Sequence, residues 1–301
     1  MLLDHLNITT DLLQGELLQQ KKINLSVLRL DKIHPIISGN KLFKLYYFFE
    51  EITDHSTKTI VTFGGAFSNH LVATAFTCKI KNLACVGFVR GEKPNQLSHT
   101  LQHCIEYGMQ LQFISRQEYD KKESADFIGQ LLQQYNNCIL IPEGGYHALG
   151  AKGAATIMNF IDDAATHICC ATGTATTLAG LLMNAKEQQQ IIGFPVLKGL
   201  TDIGRRVSFL TGAVNKKQLQ IQYGYHFGGY AKKTPALIKF MNHLYQQYQL
   251  PTDFVYTAKM MYGVLDLIQN NFFAEGSNIV CIHTGGLQGN LSLPTGTLTF
   301  N

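Results

Sequence analysis

Residues 59–90 read TIVTFGGAFSNHLVATAFTCKIKNLACVGFVR, and this stretch sets the fold class. Residues 59–65 are a β-branched run closed by Gly64 and Gly65, residues 68–79 read as a helix, and 83–89 are again apolar without a break. A strand with no polar alternation is covered on both faces, and two such strands joined by a helix form a parallel βαβ unit.

The alternation continues outward from this unit. A helix is expected over 96–107 with Leu97, Leu101, Cys104 and Ile105 on one face, then a strand over 110–114. A helix over 125–135 should turn Phe127, Ile128, Leu131 and Leu132 inward before a strand at 138–142. Further helices are expected at 150–164, 176–185, 202–210, 235–248 and 258–269, with strands at 168–171, 191–197, 218–222 and 278–283. Strands alternating with helices give parallel sheets covered on both faces, an α/β architecture.

Composition excludes several classes. The 301 residues are 46% hydrophobic and 15% charged, against roughly 25% charged in an average soluble protein, so a disordered chain is ruled out and the surface charge is sparse. The net charge is +4, with basic residues such as Arg205, Arg206, Lys216, Lys217, Lys232 and Lys233 in singles or pairs and no aromatic platform between them. Nucleic acid is therefore not an expected partner, whereas small anions are. The opening Met-Leu-Leu-Asp-His-Leu-Asn lacks the charged and apolar regions of a secretory signal, and no apolar run reaches the 18 or so residues of a membrane span. Seven cysteines without a CxxC pair suit small core positions in a reducing cytoplasm, Cys169 and Cys170 pointing to opposite faces of one strand.

The glycines mark the candidate site. Four predicted strands end in glycine-rich turns, Gly64-Gly65, Gly144-Gly145, Gly173 and Gly285-Gly286, at the carboxyl ends where open α/β sheets bind ligands. In Ala171-Thr172-Gly173-Thr174-Ala175-Thr176 a strand turns into a helix, so free N–H groups, the helix dipole and threonine hydroxyls converge as a phosphate cup. Neither GxxxxGK[ST] nor GxGxxG occurs, which favours a lone terminal phosphate over a nucleotide; HExxH, zinc-spaced His and Cys, and GxSxG are absent too.

The order of motifs is more specific than any one of them. Gly39-Asn40-Lys41-x-x-Lys44, Gly64-Gly65-x-x-Ser68-Asn69-His70, Thr172-Gly173-Thr174-Ala175-Thr176, Asp253 to Lys259 and His283-Thr284-Gly285-Gly286 together resemble the pyridoxal-phosphate enzymes that include 1-aminocyclopropane-1-carboxylate deaminase and D-cysteine desulfhydrase. The resemblance runs from about Arg29 to Gly289. It implies two doubly wound, mostly parallel open-sheet domains with the cofactor cleft between them: a small domain at 44–148, and a discontinuous larger one at 1–43 and 149–301. It implies pyridoxal 5'-phosphate joined to Lys41, its phosphate on Ala171, Thr172, Gly173, Thr174 and Ala175, its ring hydroxyl bonded by Asn69 and its ring nitrogen faced by Thr284. Ser68, with the N–H groups of Asn69 and His70, would hold a substrate carboxylate, and Tyr256 would lie over the substrate.

A threonine opposite the ring nitrogen suits β-elimination. The cyclopropane deaminases resemble one another in carrying glutamine at the position of His70 and tyrosine at that of Cys281, so this chain looks closer to the desulfhydrases. The expected function is a cytoplasmic, homodimeric lyase or deaminase that acts on a small amino acid, with D-cysteine-like elimination preferred. The alternatives are deamination of the cyclopropane amino acid and a non-catalytic binding protein on the same scaffold.

Overall fold

The computed structural model describes residues 8–52, 59–135, 137–212 and 216–300; the N-terminal heptapeptide read above for a secretory signal lies outside them. In chain order the elements are β1 (Thr10–Leu13), α1 (Glu16–Lys21), β2 (Asn24–Leu28), α2 (Asn40–Glu50), β3 (Thr59–Gly64), α3 (Asn69–Ile80), β4 (Ala84–Arg90), α4 (His99–Glu106) and β5 (Met109–Ile114). They continue as α5 (Arg116–Tyr119), α6 (Ala125–Leu132), β6 (Cys138–Ile141), α7 (Ala148–Ala155), β7 (His167–Thr172), α8 (Thr176–Met183) and β8 (Gln190–Pro195). α9 (Ile203–Thr211), β9 (Leu219–Ile221), α10 (Pro235–Tyr248), α11 (Thr257–Gln269) and β10 (Asn278–Ile282) complete the order.

Two sheets form. One has the order β5-β4-β3-β6 and is parallel throughout; the other has the order β1-β2-β10-β7-β8-β9 and is parallel except for the β1–β2 edge. The α/β, mostly parallel reading holds. β1, α1 and β2 were not anticipated. β10, the last strand in the chain, lies between β2 and β7 and ties the two ends of the sequence together.

Each sheet carries apolar cover on both faces. Cys169 packs with Leu25, Val27, Phe194 and Met260, while Cys170 packs on the other side with Ile168, Leu178 and Ile191, as the period of two along β7 requires. Six of the seven cysteines are buried; Cys138 is only half-buried.

Some helical expectations are corrected. α4 begins at His99, and Ile105 is 50% exposed rather than inward, because it sits one step of about 100° round the helix from buried Cys104. α6 stops at Leu132 and fully buries only Leu131, leaving Phe127, Ile128 and Leu132 half-buried. α7 stops at Ala155, and a 3-10 segment, Thr156–Phe160, replaces the rest of the expected helix. No helix among the described residues is long and apolar enough to cross a membrane.

Candidate active site

Gly65, Gly144, Gly173 and Gly285 line one cavity of about 230 Å³. They follow β3, β6, β7 and β10, so both sheets deliver the carboxyl ends of two strands to the same place. Every residue expected at the site lines this cavity: Lys41, Ser68, Asn69, His70, Ala171, Thr172, Gly173, Thr174, Ala175, Tyr256 and Thr284.

α2 enters the cavity through a glycine that nothing can replace. Gly39 has φ +69°, and a Cβ there would fall on the Thr284 carbonyl. Asn40 then fastens the helix: its N–H donates to Thr284 O (3.3 Å), and its Nδ2 donates to Thr177 Oγ1 on α8 (2.7 Å). Lys41 Nζ donates to Asn40 Oδ1 at 2.7 Å. Burial pulls the Lys41 amine down to about 8, partly opposed by the Asp253 carboxylate. One turn on, burial and the charge of Lys41 hold buried Lys44 well below its ordinary value. Among the described residues no carboxylate forms an ion pair with either amine.

The turn between β7 and α8 faces these amines. Ala171 to Thr177 all line the cavity, and the first N–H groups of α8 have no intrahelical acceptor. Ala175, the N-cap, is left-handed at φ +68°, which costs a residue with a side chain about 1–2 kcal/mol. The Thr174 and Thr176 hydroxyls share a hydrogen bond of 2.9 Å. A phosphate dianion fits this donor set of helix terminus, hydroxyls and buried amines. A Cβ at Gly173 would meet only Tyr256, at an ordinary contact distance of 3.4 Å.

Across the cavity, α3 begins at its own cap. Ser68 Oγ accepts from Leu71 N–H (3.3 Å), leaving the N–H groups of Asn69 and His70 without intrahelical partners. Thr62 Oγ1 donates to Ile141 O (2.7 Å), so at 2.9 Å it accepts from His70 Nε2–H, and the buried Nδ1 is left as an acceptor with no protein partner. Burial and the two lysines keep this imidazole neutral.

The remaining walls are held from behind. The Asp253 carboxylate accepts from the N–H groups of Val255, Tyr256 and Thr257 and from the Thr257 hydroxyl (2.7–2.9 Å), which fixes Tyr256 at the start of α11. Tyr256 stands 6.0 Å from Lys41 Nζ, measured to the ring centroid. Thr284 is set by its neighbour: His283 Nε2–H donates to Pro251 O (2.8 Å), and Nδ1 accepts from Gly285 N–H (3.3 Å). Cys281 lies in the core of the larger sheet with Cys169 and Met260.

Sequence reading assigned no role to Lys44, Glu143 or Tyr230, which also line the cavity, nor to Lys259, a fully buried amine that donates to Gly229 O at 2.7 Å. Lys44 was legible, since it stands one helical turn from Lys41. Tyr230 was not, because it reaches the cavity on an irregular segment containing left-handed Phe227, Gly228, Gly229 and Ala231.

Comparison with known proteins adds to this geometry. The family model described as pyridoxal-phosphate dependent enzyme matches residues 7–285. A Thermotoga maritima protein carrying the provisional name 1-aminocyclopropane-1-carboxylate deaminase is 28% identical over 285 residues, 88% of this chain and 89% of that one. The D-cysteine desulfhydrase of Klebsiella pneumoniae subsp. pneumoniae is 27% identical over 271 residues, 83% of each. A crystal structure of an ACC deaminase homologue superposes with a TM-score of 0.78 at 23% identity, covering 94% of this chain and 90% of that one, and so shares the fold.

Proposed function

The chain belongs to the pyridoxal-phosphate-dependent enzymes, and from that premise we propose that it is a lyase or deaminase of small amino acids that prefers D-cysteine-like β-elimination. The observation that carries the reading is the pairing of a lysine whose amine is pulled down to about 8 with an anion cup on the facing turn. Lys41 would carry the cofactor, and Ala171 to Ala175 with Lys44 would hold its phosphate. Asn69 would bond the ring hydroxyl, and Thr284 would face the ring nitrogen. When bound, pyridoxal phosphate supplies a sink for the electron pair released at the substrate's α-carbon.

The other roles fall to the protein. The substrate carboxylate would be held by Ser68 and by the N–H groups of Asn69 and His70 at the α3 terminus. Once displaced by substrate, the Lys41 amine is basic enough near neutral pH to take the α-proton. Tyr256 lies across from Lys41 and would cover the substrate. Elimination would break the Cα–H and Cβ–S bonds and release sulfide; water would then convert the remainder to a keto acid and ammonia. Cys281 supports this preference, since its thiol sits in the core and that position supplies no aromatic acid for ring opening.

We also propose a cleft between a small domain at 44–148 and a larger one at 1–43 and 149–301. We propose a homodimer as well, and a cytoplasmic location, which seven free cysteines support. The test is to supply the purified protein with pyridoxal phosphate and assay D-cysteine, L-cysteine, D-serine and the cyclopropane amino acid for sulfide, ammonia and keto acid. Sulfide from D-cysteine is expected, together with loss of the visible cofactor band in Lys41→Ala. Keto acid from the cyclopropane substrate with no sulfide from either cysteine would overturn the preference for elimination.

A further inference from the structure

We propose that Gln288 is a positioning residue that fixes which end of the Asn69 side-chain amide faces the cofactor ring. The inference rests on the reading of Asn69 given above. An amide has a donating and an accepting end, and only the donating end can bond an ionised ring oxygen. Gln288 Nε2 donates to Asn69 Oδ1 at 2.8 Å across 219 positions of sequence. That bond occupies the accepting end and leaves Nδ2–H for the cavity.

The main chain that carries Gln288 is tied down on two sides. The Gln288 main-chain carbonyl accepts from His99 Nε2–H at 3.0 Å, a bond from α4 beside the smaller sheet to the segment that follows β10 of the larger one. Two residues on, buried Asn290 donates to Thr252 O (3.0 Å) and accepts from Phe254 N–H (3.3 Å), which ties the same segment to the loop leading to Tyr256. Gly286 lets the segment lie against Asn69: its φ is +98°, and a Cβ there would stand 3.1 Å from Asn69 Nδ2. From the other side, Ser98 Oγ donates to the Ala66 carbonyl and the His99 ring lies 5.9 Å from that of Phe67, so the turn before Asn69 is clamped as well.

The experiment compares the wild-type holoenzyme with Gln288→Met, Gln288→Glu and Asn69→Ala. It reads the visible spectrum of the bound cofactor, the dissociation constant for pyridoxal phosphate by titration, and the melting temperature of the apoprotein. Methionine keeps the volume and loses the bond, so cofactor binding should weaken roughly three- to tenfold. Glutamate can only accept; it should draw Asn69 Nδ2–H to itself, turn Oδ1 to the ring, weaken binding further than methionine and shift the visible band, with apoprotein melting unchanged. Equal effects of glutamate and methionine would reduce the contact to packing and overturn the proposal. Wild-type spectra and binding in both Gln288 variants, with Asn69→Ala altered, would overturn it while leaving the role of Asn69 standing. An Asn69→Ala variant that also behaves as wild type would remove both.

Discussion

At the scale of single residues, Lys41 is the most informative side chain. Moving an ammonium out of water favours its neutral form, and here burial outweighs the nearby Asp253 carboxylate and leaves the amine at about 8 instead of the usual 10.5. An amine attacks a carbonyl only when neutral, so the rate at which the apoprotein captures pyridoxal phosphate should rise with pH, reach half its plateau near pH 8, and flatten above it. Stopped-flow recording of the visible band would show this, and a half-rise near pH 10 would refute it. Lys41 could be picked out in the sequence only through the order of motifs that Gly39-Asn40-Lys41 opens, and its basicity could not, because the desolvation comes from residues scattered from Asn40 to Thr284. His70 makes the same point: burial, Lys44 and Lys41 keep its imidazole neutral, and Thr62 with Ile141 sets which nitrogen carries the proton, all of them distant in the chain or on other elements.

At the scale of elements, α7 decides where Lys41 stands. Its sequence, ALGAKGAA, has almost no side chain to offer, and that is its packing function. A Cβ on Gly153 would fall on the Phe43 carbonyl of α2, a Cβ on Gly150 would fall on the Gly145 carbonyl, and one on Gly180 of α8 would meet Ala154 Cβ at 2.5 Å. α2, α7 and α8 therefore approach at backbone contact, which holds the helix of Lys41 against the helix that follows the Gly173 turn. Gly153→Ala should destabilise the protein by about 1–3 kcal/mol through overpacking and impair cofactor binding. Gly129→Ala on α6, where a Cβ meets open space, should be neutral or stabilise by up to about 1 kcal/mol. Denaturant unfolding of both variants checks the pair, and equal stabilities would refute the packing argument. Element boundaries were legible where end signals are local: α10 runs from Pro235 to Tyr248 as expected because Thr234 caps it and proline occupies its first position. They were not legible at β1 and β2, which are short, interrupted by polar residues, and stable only because β2 pairs with β10.

At the scale of the whole molecule, two covered sheets enclose a cavity to which both contribute, so a bound cofactor should stabilise the entire fold. With pyridoxal phosphate at a hundredfold excess over its dissociation constant, the gain should be about 2.7 kcal/mol. Removing the cofactor should lower the melting temperature by several degrees, and Lys41→Ala should lose most of that difference; calorimetry with and without the cofactor is the check, and identical melting curves would count against the site. The sequence by itself determined the alternation of strand and helix, the glycine turn after each of four strands and the order of motifs, because period, β-branching and turn chemistry act over a few residues. Only the tertiary structure decided that β10 lies between β2 and β7, that the four turns open on one cavity, and that Gln288 meets Asn69. Strand order and long-range contact are chosen by which apolar faces can be buried together across the whole chain, and that choice leaves no local mark in the order of the residues.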